Sequence, residues 1–315
     1  MNKKGMEFGF AWLFAIMVGG VILFLAIFGV SRLIDTSQGE VNTKVAVEFA
    51  NVLDPLQTVV SESSGTQIDL PVEAKIFISC DLEGNFGNSL VSFSEKIGFG
   101  DKWSKLGGEA RTKNAYLFAE DEMQGKRINF LIFPFSMPYK VGDILVAYNE
   151  NYCFVDTPVL IENELRDLLG DENSNIVFAD SLNSCPDVKK VCFQGNCDIK
   201  VKCDDSACTK GFVDKDGGRV YFTDKLIYGA IFSSQKNYEC NVNRLMKRLS
   251  IISEIYAKKT QFVSSRDCVN IILRPDIVSL NASSANYDSL NDLVEIGRIS
   301  KVIDDKNKEL ECQLY

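Results

Sequence analysis

From Phe8 to Ser31 the chain carries no charged side chain, and no other stretch constrains what it can fold into so strongly. About 24 residues at the helical rise cover ~36 Å, enough to cross a hydrocarbon core of roughly 30 Å with some tilt. The run predicts one membrane-spanning helix over residues 8–31. Lys3 and Lys4 precede it, while Arg32 is soon offset by Asp35 and Glu40. The positive-inside bias then puts residues 1–7 in the cytoplasm and everything after Arg32 outside. Gly29, Val30 and Ser31 would suit cleavage of a secretory signal, but the apolar run exceeds the ~7–15 residues of such a signal's core.

The ten cysteines, Cys80, Cys153, Cys185, Cys192, Cys197, Cys203, Cys208, Cys240, Cys268 and Cys312, all follow the span. In an oxidising compartment an even count points to disulfides, with Cys192, Cys197, Cys203 and Cys208 bridged locally and Cys312 joined to a distant partner such as Cys240 or Cys268. No Cys-x2-Cys knuckle occurs and there is no histidine, so the spacing argues against a metal site. The same lack of histidine excludes Ser-His-Asp and Cys-His catalysis.

Lys3, Lys4 and Gly5 followed directly by the apolar helix resemble the class III leader of archaeal type IV pilin-like proteins. The resemblance implies peptidase cleavage after Gly5, with the helix left as anchor or filament core. It covers about the first 35 residues. More broadly the arrangement is similar to single-span surface proteins of archaea. Ala11, Ala15 and Gly19 lie four apart on one helical face, a small-residue ladder that would let another helix approach closely.

Beyond the span, Val41, Val45, Phe49, Val52, Leu53, Leu56 and Val60 recur at helical spacing and predict an amphipathic helix over residues 40–60. Ser37, Gln38 and Gly39 suggest a joint before it, and Pro55 a kink near Asp54. The rest, residues 66–315, is expected to form a cysteine-rich α+β domain outside the membrane: an antiparallel sheet with packed C-terminal helices and disulfides. Strands are expected at Ile76–Cys80, Ser89–Phe93, Asn114–Phe118, Ile128–Phe133, Leu145–Val155 and Val269–Leu273. Hairpins are expected around Gly195-Asn196 and Asp216-Gly217. Helices are expected over Ile161–Gly170, Asn241–Lys259 and Ser289–Asn307. The second would bury Val242, Leu245, Met246 and Leu249 and present Arg244, Lys247 and Arg248 to solvent.

Charge argues against nucleic acid as a partner: 34 Lys and Arg stand against 43 Asp and Glu, and removing Lys3, Lys4, Arg32 and Glu7 leaves 31 against 42. No Walker A or G-x-G-x-x-G run is present. The chemistry left without histidine is a Ser-Lys pair, and Ser233 and Lys236 match S-x-x-K. Glu162, Glu164 and Asp167 read as the solvated face of a short helix, and Asp214, Asp216 and Gly217 as an acidic turn. Asn281, Ala282 and Ser283 form a glycosylation sequon in polar, loop-like surroundings. No cofactor is implied. The expected function is that of a membrane-anchored cell-envelope protein, with self-association or other envelope proteins as partners. The alternative is an anchored extracytoplasmic Ser-Lys hydrolase.

Overall fold

The computed structural model describes residues 10–58, 62–97, 100, 102–169, 175–264 and 270–315. Within the first helix the described side chains are those of residues 17–26, 28, 39–51 and 53.

Helix α1 runs unbroken over Phe10–Thr58. No joint interrupts it at residues 37–39. Gly39 sits inside the helix, where Thr43 Oγ1 donates to its carbonyl at 2.7 Å. Pro55 lies in the last turn, three residues before the helix ends at Thr58. Of the apolar face expected, Phe49 and Leu53 are buried and Val45 packs against the same core, while Val41 is exposed and Asn42, Ala46 and Ala50 are buried beside them. Among the described residues no helix is long and apolar enough to cross a membrane.

Two six-stranded sheets follow. The first comprises β1 (Ser64–Asp81), β2 (Asn88–Glu95), β3 (Ala110–Thr112), β4 (Tyr116–Phe118), β5 (Glu122–Ser136) and β6 (Lys140–Tyr148). Its order is β3-β2-β1-β5-β6-β4. All pairs are antiparallel except β4 with β6, which is parallel and departs from the expected pattern. Gly84 and Gly87, at φ 75° and 62°, turn β1 into β2. Pro134 lies inside β5 rather than ending it. Pairing of β5 with β1 stops at Ile132, so Pro134 is paired only with β6, opposite Asp143.

The second sheet holds β7 (Tyr152–Val155), β8 (Ile176–Ala179), β9 (Lys189–Cys192), β10 (Ile199–Cys203), β11 (Lys210–Lys215) and β12 (Gly218–Thr223), in the order β12-β11-β10-β9-β7-β8. The expected single strand over Leu145–Val155 is therefore two, β6 and β7, in different sheets. The expected hairpin at Gly195-Asn196 is instead a parallel pair, with Ile199 opposite Val191 and Lys200 opposite Cys192. Only two residue pairs are matched, so the loop need carry the chain back only about two strand residues, ~7 Å, and the six residues 193–198 suffice. The hairpin at Asp216-Gly217 forms as expected, with both residues at positive φ.

Helices α2 (Val159–Leu169), α3 (Leu226–Phe232), α4 (Gln235–Ser264), α5 (Arg274–Ala285) and α6 (Asp292–Lys308) complete the chain. The segment read as a strand at Val269–Leu273 contributes a 3-10 turn over Asn270–Leu273 that leads into α5, where Pro275 occupies a first-turn position suited to its fixed φ. The first sheet is covered on both faces. Ile76, Ile78, Val91, Phe93 and Phe130 pack on α1, while Phe118, Phe133, Ile144 and Val146 join a second core with β7–β12 and the C-terminal helices. That shared core ties the two sheets into one α+β body.

Candidate functional site

The two parts of α1 differ in surroundings. In the first, Met17 is 60 %, Ile22 62 % and Phe24 68 % exposed, and a Cβ added at Gly19 or Gly20 would meet nothing within 4 Å. In the second, a polar latch sets the register. Asn42 Nδ2 donates to Ser104 Oγ and to the Lys105 carbonyl, both at 2.7 Å, and Gly108 N–H donates to Thr43 Oγ1 at 2.7 Å. A Cβ at Gly107 would lie 2.7 Å from Asn42, so only glycine lets the loop come this close. Gly5 lies outside the described residues, as do the side chains of Ala11 and Ala15.

Four bridges join Cys80 to Cys240, Cys153 to Cys185, Cys192 to Cys197 and Cys203 to Cys208. Cys312 is also disulfide-bonded. Cys268 lies outside the described residues. Cys240 pairs with Cys80 and not with Cys312, because the second turn of α4 lies beside the end of β1. The local pairs fall as the spacing suggested.

Arg244, one turn after Cys240, is fully buried and not solvent-exposed as its sequence position suggested. Its Nε donates to Phe86 O at 2.9 Å, Nη2 to Lys113 O at 3.1 Å, and Nη1 to Ser89 Oγ, Ala115 O and Asn241 Oδ1 at 2.8–2.9 Å. The guanidinium also lies 4.8 Å from the Tyr116 ring centroid. Burial pulls it down to about 10, so it stays charged at neutral pH.

This arrangement orients two amides in turn. A guanidinium only donates, so Asn241 must present its oxygen to Arg244. Asn241 Nδ2 is thereby directed to Leu117 O, Asn237 O and Asn237 Oδ1 at 2.9–3.1 Å. Asn237 then has its oxygen engaged, and its buried Nδ2 has no partner. Sequence reading missed all three residues. The available signal was Asn237, Asn241 and Arg244 at i, i+4 and i+7, a polar stripe bordering the apolar one.

Asn237 forms part of the wall of a cavity of about 280 Å³ between the first sheet and the start of α4. Phe77, Ser79, Leu90 and Ser92 lie on the strand face turned away from α1, since their neighbours Ile76, Ile78, Val91 and Phe93 pack on that helix. Ile78, Cys80, Lys236, Asp121, Glu109 and Leu106 complete the lining. Asp121 also accepts from Ser234 Oγ at 2.6 Å, which holds the start of α4 to the end of the sheet.

The remaining candidate residues have structural roles. Ser233 is fully buried at the end of α3, with its hydroxyl donating to Gly229 O at 2.6 Å, whereas Lys236 is exposed. The two do not make a nucleophile-base pair, and a hydroxyl shut away from solvent has no route to a substrate. The lysine beside Ser233 is Lys215, whose buried ammonium donates to Ser233 O and to Ile231 O at 3.1 Å. It thus caps the C-terminus of α3. Glu120 lies 3.8 Å away; burial pulls Lys215 down and pushes the Glu120 carboxyl up.

Glu162 pairs with Arg166 at 2.7 Å, and Glu164 accepts from Lys225 and Tyr228, tying α2 to α3. Asp214 pairs with Arg219 across the β11–β12 hairpin at 2.7 Å, a cross-strand ion pair. Asn281 lies inside α5, not in a loop. Its Nδ2, the atom a glycan would need, donates to Ser250 O on α4 at 2.7 Å. Among the described residues no group of acidic and cysteine side chains forms a metal cluster. Comparisons with family models, with curated proteins and with solved structures return no match.

Proposed function

We propose that this chain is a membrane-anchored cell-envelope protein, with its N-terminus cytoplasmic and its disulfide-bonded α+β domain outside, where it serves a structural, adhesive or interaction role. The observation that carries this reading is the division of α1. One helix, Phe10–Thr58, holds most of the uncharged run with the large apolar side chains of Met17, Ile22 and Phe24 exposed, and continues into a part latched and buried against the sheet. Exposed Met17, Ile22 and Phe24 on a helix are costly in water and favourable in lipid. Lys3 and Lys4 ahead of the run support the orientation. The disulfides support an oxidising surrounding for the domain. A helix without a joint, part apolar and part docked, also supports the pilin-like form that Lys3, Lys4 and Gly5 suggest.

Protease added to intact cells tests the orientation. The region after Arg32 is expected to be digested without lysis, and full protection would reverse the topology. Cross-linking on intact cells followed by mass spectrometry then identifies whether the contacts are with a second copy or with another envelope protein.

A further inference from the structure

We infer that the exposed face of α4 over residues 251–262 pairs antiparallel with the same face of a second copy of this chain. The inference rests on the interaction role proposed above and names the partner for it.

Helix α4 carries two apolar faces. One turns to the core, where Val242, Met246 and Leu249 are fully buried. At about 100° per residue, Ile251, Ile255, Lys258 and Phe262 fall within an arc of roughly 60° on the opposite side of the helix. All four are exposed, Ile255 by 60 % and Phe262 by 61 %. Their spacings of four, three and four residues are those of a heptad seam, the pattern by which one helix meets another.

Symmetry and charge select a second copy and fix its direction. Ile251 and Phe262 lie equally far from the midpoint between residues 256 and 257, and so do Ile255 and Lys258. Two antiparallel copies therefore set each Ile251 against the other copy's Phe262. Each Lys258 then lays its aliphatic stem over the other copy's Ile255 and brings its ammonium beside the other copy's Glu254. Within one chain Lys258 already pairs with Glu254 at 2.7 Å on this face, so the two charges stand side by side and the pattern repeats across the twofold axis. Parallel pairing would stack Lys258 on Lys258, a like-charge contact in the middle of the seam.

The test uses the full-length protein in detergent, followed by sedimentation. At about 100 µM, above the micromolar Kd that one helix pair supports, a dimer is expected. Ile255→Glu should weaken it about a hundredfold, since two isoleucines are lost from the interface, and should leave the melting temperature unchanged because the side chain is exposed in the single chain. Lys258→Glu should weaken the dimer about tenfold by setting carboxylate against carboxylate, and adding Glu254→Lys should restore it. A benzophenone side chain in place of Phe262 should cross-link the dimer near Ile251; cross-linking to residue 262 of the other copy overturns the antiparallel arrangement. A monomer throughout overturns the proposal and leaves the face to lipid or to a different protein. A dimer indifferent to Ile255→Glu overturns it too, and assigns the association to α1. Neither result touches the anchored topology, which digestion of intact cells after Arg32 decides separately.

Discussion

Arg244 Nη1 donates to Asn241 Oδ1 at 2.8 Å, and this single bond within α4 decides which way the amides of Asn241 and Asn237 face. The same guanidinium holds the carbonyls of Phe86, Lys113 and Ala115, so one side chain closes the β1–β2 turn and the chain leading into β4 against the helix. A Cβ at Gly87 would lie 2.9 Å from the Arg244 side chain, and Gly87 holds φ 62°; both facts require glycine there.

Replacing this residue, Arg244→Met, is expected to lower stability by roughly 3 kcal/mol or more, because the acceptors it leaves behind are buried. Arg244→Lys should recover little, since one ammonium cannot reach both sides of the planar fork. Chemical denaturation of the two variants beside the wild type checks this; equal midpoints for all three would show the network to be dispensable.

The bridge from Cys80 to Cys240 spans 160 residues, against five for the bridge from Cys203 to Cys208. On chain entropy the first should contribute about 5 kcal/mol and the second about 2 kcal/mol. Paired Cys→Ala variants, compared by thermal melting in the absence of reductant, should rank in that order. A reversed ranking would mean that residual structure in the unfolded chain outweighs loop length.

Removing the latch of α1, Asn42→Ala, leaves the Lys105 carbonyl without its donor and should cost ~1–3 kcal/mol. Gly107→Ala should act at the same contact by forcing the loop away from Asn42. Hydrogen exchange resolves the effect: amides of the second half of α1 are expected to lose protection first, and protection unchanged there would remove the latch from the account.

Asp143 is buried beside Lys140, 2.9 Å away, with Arg248 contributing from α4. Burial pushes its carboxyl up despite these cations. The folded state therefore keeps the proton to higher pH than the unfolded chain does. The associated stability is fully present below the ordinary Asp value of 3.8 and is lost as pH rises through the raised folded value. Asp143→Asn should thus gain on the wild type as pH is raised above about 4. Melting temperatures across the acid range measure it; a constant difference between the two proteins would contradict the sign.

In the exposed half of α1, Gly19→Leu meets no neighbouring atom and should leave the melting temperature of the domain unchanged. If the small-residue face at Ala11, Ala15 and Gly19 packs on another helix, the same change should weaken association in a membrane reporter assay. An unaltered reporter signal would assign that face to lipid.

The sequence by itself determined the local order of this protein. Period-3.6 apolar spacing placed α4 and α6, Asp216-Gly217 placed a hairpin, and close cysteine spacing pointed to local bridging without giving the pairs, because each depends on residues a few positions apart. Where partners come from far along the chain, local pattern misled. The segment Val191–Cys203 has the composition of a hairpin, yet β10 runs parallel to β9, in a sheet where β9 also pairs with β7 and β10 with β11. Pro134 reads as a strand end until β1 is seen to stop two residues earlier. Arg244 reads as a solvent-facing charge, and only the tertiary structure brings it the carbonyls of residues 86, 113 and 115 that make its burial tolerable. The unpartnered amide nitrogen of Asn237 depends on that same convergence: a donor is left over only when other groups have claimed every other atom of its network, a property of the packed molecule and of no single stretch of chain.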